Sequence, residues 1–98
     1  MKKIEQIADY IDEELDDAMK YARCSIQNDD DAELSKTYKS LSNEELGHAM
    51  RLHEQVVRLI KVYRDKNGEP PQRMMDRYEY IHERQMKKYS DVRILLEH

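Results

Sequence analysis

The sequence predicts an all-α fold, a long antiparallel helical hairpin followed by a third, C-terminal helix. Three observations carry this expectation. The 98 residues include only two glycines and two prolines, and Gly68, Pro70 and Pro71 lie together while Gly47 stands alone. That distribution leaves three long uninterrupted stretches. Within each stretch apolar residues recur at spacings of three and four, the period of one helix face. Apolar and charged side chains each make up 39% of the chain, which suits one small domain whose isolated core is thin.

The first helix is expected from about residue 3 to about residue 27, with Ile4, Ile7, Ile11, Ala18, Ala22 and Ser25 or Ile26 on one stripe and Leu15 flanking it. Asn28 to Asp31 supply a short turn, and Asp30 or Asp31 can cap the next helix by accepting from its free amides. The second helix is expected from about residue 31 to about residue 66, a length near 50 Å at about 1.5 Å per residue. Its seam is Leu34, Tyr38, Leu41, Leu52, Leu59 and Val62, widened by Val56 and Tyr63. Ser42 and Glu45 have capping-box spacing and mark an alternative break near residue 42. Asn67 and Gly68 end the helix, since glycine accepts left-handed cap geometry and the prolines discourage continuation. The third helix, from about residue 71 to about residue 95, carries Met74, Tyr78, Ile81, Tyr89, Val92 and Leu95. Gln85 and Lys88 interrupt that stripe, which suggests an outer helix or one used in assembly.

Residues 1–95 form the expected single domain. Leu96, Glu97 and His98 read as an expression-tag remnant and are set aside. Charge of both signs is interleaved around a formal net of −4, with no basic stripe to replace phosphate counterions, so nucleic acid is not an expected partner. No run of about 18 apolar residues and no signal-peptide core is present, so a soluble, cytoplasmic protein without membrane contact is expected. Cys24 is the only cysteine, which rules out an internal disulfide and fits a reducing compartment.

Two helices aim polar residues into their own apolar faces. Glu14 follows Ile11 by three and precedes Ala18 by four, so it projects within the stripe of the first helix. The ladder Leu41, Glu45, His48, Leu52 places Glu45 and His48 in the seam of the second. Carboxylates in such places need a charge to pair with. Glu45 and His48 form a Glu-x-x-His unit, whose spacing lets a carboxylate and an imidazole reach one metal ion. Carboxylate oxygen mixed with imidazole nitrogen suits iron or manganese, and zinc is compatible with it. Tyr21 lies on the same face as Glu14, two turns along.

Each of these residues has a plainer reading. Glu14 could pair with an inward-reaching Lys or Arg, His48 could be a neutral core histidine bonded to Tyr21 or Tyr38, and Glu45 could be a cap. His53, five residues past His48 and off the seam, reads as a surface residue. Glu79 and His82 repeat the Glu-x-x-His spacing beside the third stripe and read as solvated or interfacial. Glu13, Asp16, Asp17 and Glu44 read as solvated acidic positions, Asp17 being placed to guide cations inward. No Ser-His-Asp set, glycine-rich phosphate loop, paired CxxC or HExxH is present. Asp29 to Asp31 lack the alternating ligands of a calcium loop.

Glu14 with Tyr21 seven residues later, followed by Glu44-Glu45-Leu46-Gly47-His48-Ala49, resembles the half-site of the ferritin-like di-iron proteins. The chain is too short for the two half-sites of a full ferritin and looks closer to the encapsulated ferritins over about residues 7 to 62. Those proteins build the metal site by pairing two subunits. The resemblance implies a homodimer, or a multiple of dimers, whose paired hairpins make a four-helix bundle around a di-iron centre. It implies ferroxidase chemistry of the iron-storage kind, oxidation of iron(II) by dioxygen or peroxide. The two Glu45 carboxylates would bridge the metals, and Glu14 and His48 of each chain would terminate them. Tyr21 would supply a nearby hydrogen bond or an electron. An encapsulating shell protein is the further partner it implies, with a place inside a protein nanocompartment. Lys20 stands where that family tends to have a bulky aromatic residue, and nothing recognisable as a docking extension follows the third helix, where the tag junction could have replaced a native tail. Two other classes share the same helices: a non-catalytic interaction or assembly protein without metal, and a dimer stapled by structural zinc or manganese.

Overall fold

A computed structural model describes all residues, 1–98. It contains three helices and no strand: α1 (Lys2–Gln27), α2 (Ala32–Asn67) and α3 (Gln72–Leu96). These bounds agree with the sequence-based ones to a residue at each end, which is within the fraying of helix ends. Asp31 caps α2, its side chain accepting from the Leu34 amide at 3.1 Å. Gly68 ends it with a φ of 77°, a left-handed geometry that a side chain would strain. No break occurs near residue 42. The Ser42 hydroxyl instead donates across to the Ala18 carbonyl oxygen at 2.7 Å, as Ser35 does to the Ser25 carbonyl at 2.7 Å. Both bonds pin α1 antiparallel to α2.

The hairpin closes on small residues. Ala18, Ala22 and Ser25 of α1 and Ser42, Leu46 and Ala49 of α2 are buried, and short side chains let the two backbones approach closely. The stripe expected on α1 holds, with Leu15 fully buried at its centre rather than flanking it, Ala8 buried as well, and Ile7 only partly covered. On α2 the expected seam needs correction. The subunit buries Ser42, Leu46 and Ala49, whereas Leu34 and Val62 are exposed and Tyr38, Leu41, Leu52 and Leu59 are only half-covered. The leucine seam therefore lies at the margin of the core, with Leu52 and Val56 packed against it and Leu34 and Val62 exposed.

The third helix lies against α1 rather than α2 and runs parallel to α1. Gln85 does not weaken its stripe. With Tyr78 and Val92 it is one of the three buried residues of α3, and its amide donates to the Ala8 carbonyl oxygen at 3.0 Å and to Asp12 Oδ1 at 3.1 Å. Around it Arg77 pairs with Glu5, Arg84 with Asp12 and Lys88 with Asp16. Asp16 is thus a docking residue for α3 rather than part of a free acidic face. Leu95 and Leu96 complete the last turn against the core. Truncating Gln85 to alanine removes two hydrogen bonds and leaves a small void. A loss of about 2 kcal/mol is expected in urea unfolding.

The resulting rod measures 55 × 18 × 17 Å and buries only 14 of its 98 residues. A core of that size leaves one long face of the hairpin, opposite α3, without a cover.

Candidate metal centre

Glu14, Glu45 and His48 meet on that uncovered face. One ligand atom from each lies within 4.8 Å of the other two. His48 Nδ1 is 3.6 Å from Glu14 Oε2 and 3.6 Å from Glu45 Oε1. Antiparallel pairing produces the meeting: the register set by Ser42 on Ala18 brings Glu14, four residues earlier on α1, opposite the Glu45–His48 turn of α2. The side chains are graded from interior to solvent, with exposures of 20% for Glu45, 28% for Glu14 and 50% for His48.

The plainer readings of these residues do not hold. No Lys or Arg pairs with Glu14; its only ion-pair partner is His48. Arg51, one turn past His48, lines the same cleft without reaching it. Sequence reading does not single out Arg51, although its spacing of three from His48 was the available signal. His48 is exposed and bonds to neither Tyr21 nor Tyr38, so it is not a core histidine. Glu45 lies mid-helix and caps nothing.

Two carboxylates without a cation must share protons. The Glu45 carboxyl is pushed up to about 7. The largest cause is its hydrogen bond to Glu14, followed by burial and by repulsion from the Glu14 charge; Asp17 adds slightly, and His48 opposes the rise. A cation at this point would take the place of the proton. Metal–oxygen and metal–nitrogen bonds of about 2.1 Å keep two ligand atoms within roughly 4.2 Å of each other. The trio is slightly wider than that, so its side chains must draw together for one ion to touch all three. Three protein donors, one of them half in solvent, leave coordination positions open.

Tyr21 stands apart from the trio. Its ring stacks on Tyr38 with centroids 6.2 Å apart, and the Lys20 ammonium lies 4.8 Å above it. The nearby hydrogen bond expected of Tyr21 is not made within the subunit. Glu13, Asp17 and Glu44 are solvent-exposed, and Asp17 pairs with Lys20. Glu79 is exposed as expected, whereas His53 and His82 are both partly buried and stack on each other. The surface reading of His53 is therefore corrected, since spacing from His48 says nothing about what α3 brings to its other side.

No family model matches this chain, and no curated protein or solved structure does either. These comparisons add nothing to the resemblance to ferritin-like di-iron proteins, which rests on the sequence motif alone. The protein is a small all-α domain with a loose Glu–Glu–His cluster whose donor atoms are close enough that it could hold a metal ion. No helix is long and apolar enough to cross a membrane.

Proposed function

We propose that two copies of this chain pair through the open face of the hairpin, forming a four-helix bundle whose two Glu14–Glu45–His48 sets make one di-iron centre that oxidises iron(II). The observation that carries this reading is the position of the cluster. It lies in line with the seam of exposed Leu34 and Val62 and half-covered Tyr38, Leu41, Leu52 and Leu59. A second copy would bury that seam and supply the core that one subunit lacks, and a closed two-fold pair is the commonest oligomer.

The donor set fits the metal. Carboxylate oxygen with imidazole nitrogen suits iron or manganese, and four carboxylates per pair favour the higher charge of iron(III). Iron(II) is the substrate; each ion gives one electron to dioxygen or peroxide. Within the protein, Glu45 must release its proton for the ion to bind, Glu14 and His48 orient the ion from opposite helices, and the apolar seam restricts water. Manganese or zinc held only as a staple would use the same ligands without the oxidation.

Exchanging His48 for alanine deletes a ligand from both halves of a symmetric centre. Iron stoichiometry and oxygen consumption on iron(II) addition should fall together, with the oligomeric mass by light scattering unchanged. Oxygen traces equal to those of the parent, or a parent that is a stable monomer at micromolar concentration, would sink the reading. A parent that pairs but neither binds nor oxidises iron would instead identify an assembly protein, for which the same seam is the argument.

A further inference from the structure

A cavity of about 260 Å³ lies between the three helices near the start of α1, with Ile4, Ile11, Val56, Ile60 and Tyr78 in its mostly apolar wall. Two imidazoles stand in the same wall. His53 of α2 and His82 of α3 meet with ring centroids 4.7 Å apart and planes 17° from parallel. His82 Nδ1 is buried and has no hydrogen-bond partner. The imidazole–carboxylate contacts of the chain belong to His48, and neither His53 nor His82 has one. Face-to-face rings direct their lone pairs into parallel planes rather than at one point, so this pair is a stacking contact and not a chelate.

Its place in the bundle gives the stack a role. The ion pairs and the Gln85 bonds that dock α3 all go to α1. Toward the end of α3, Val92 shares the core with Leu46 and Ala49 of α2, and Arg93 donates to Asn43 Oδ1 at 3.2 Å; along the first half of α3 the cavity separates the two helices, and the direct ring contact across it is the histidine stack. The stack therefore closes the α2–α3 seam over the cavity. We propose that His53 and His82 form an acid-released clasp, which holds the first half of α3 against α2 while His53 is neutral and lets it part when His53 takes up a proton.

An imidazolium has two N–H donors and a full charge, and the buried His82 Nδ1 has no acceptor within reach. From α1 the cavity wall offers Ile4, Ala8 and Ile11, none of which titrates; from α3 it offers His82, Glu79, the neutral Gln85 and Tyr78, whose phenol burial keeps protonated and uncharged. Glu54, beside His53 on α2, is the one carboxylate that favours its charged form. Burial, and then repulsion from His82, outweigh it and hold His53 below the usual 6.5. A depressed histidine contributes stability that is present above 6.5 and is lost as the pH falls through 6.5 toward the lowered value. The ion pairs from α3 to α1 involve no imidazole, so the opening is confined to the α2–α3 seam. The clasp depends on neither the metal nor the pairing of subunits.

Hydrogen exchange of the full chain tests this, compared at about pH 7.5 and about pH 5.5, on either side of the histidine range, with intrinsic rates corrected for pH. In the parent, protection of amides 74–86 should fall several-fold at the lower pH, while α1 amides 14–22 keep theirs. His53→Phe retains an aromatic face without a titrating group and should remove the difference; His53→Lys should show the low protection already at pH 7.5. His82→Phe provides the same comparison should His53→Phe fold poorly. Equal protection of 74–86 in the parent at both pH values, or the same acid loss in the phenylalanine variants, would overturn the proposal.

Discussion

Replacing Glu14 by alanine should stabilise the metal-free protein and abolish its stabilisation by iron. Within one subunit Glu14 faces Glu45 with no Lys or Arg to offset either charge. In a symmetric pair, four such carboxylates would share one seam, and their repulsion and desolvation must be met by protonation. Truncating Glu14 relieves much of this, with a small cavity term in the other direction. Iron reverses the sign. A ligand that binds only the folded form stabilises it by about 2.7 kcal/mol at a hundredfold excess over Kd, and the variant loses that gain with its ligand. Had Glu14 been held by a buried cation, truncation would cost roughly 3 to 5 kcal/mol without metal. The measurement is a set of urea unfolding curves for parent and variant, with chelator and with anaerobic iron(II), at one subunit concentration. Destabilisation of the metal-free variant by several kcal/mol, with a parent indifferent to iron, would leave the di-iron reading without support.

Iron binding should weaken steeply as the pH drops below about 7, because Glu45 then carries a proton that the metal must displace. Each displaced proton lowers the apparent affinity about tenfold per pH unit below that point. The metal-free fold responds in the opposite sense. Glu45 lies above its ordinary 4.5 in the folded chain, so the fold holds this proton more tightly than the unfolded chain does. Its contribution to stability is fully present below 4.5 and is lost as the pH rises through about 7. His53 acts oppositely below 6.5, so the Glu45 contribution is best isolated in a His53→Phe background. Anaerobic titration calorimetry with iron(II) at about pH 6 and about pH 8 brackets the transition. Equal affinities at the two pH values would show that Glu45 does not bind the metal.

Periodicity and punctuation alone determined the three helices, their ends and the hairpin order, because local spacing and cap chemistry set these. The same spacing picked out Glu14, Glu45 and His48, since a carboxylate inside an apolar stripe stands out in any helix register. Which face of α2 is buried in the subunit was decided only in three dimensions. Its heavier stripe, the leucine seam, is left half-covered at the margin of the core, and α1 packs on Ser42, Leu46 and Ala49. Hydropathy gives little weight to serine and alanine, yet their small size permits close backbone approach, and a serine hydroxyl is satisfied once a carbonyl from the other helix arrives. Gln85 follows the same logic. It breaks a stripe when read along the chain and becomes a clamp when Ala8 and Asp12 lie beside it. The His53–His82 stack joins residues 29 apart in sequence, counted from their numbers. No helical period links them, so only the packing of α3 could bring the two rings together.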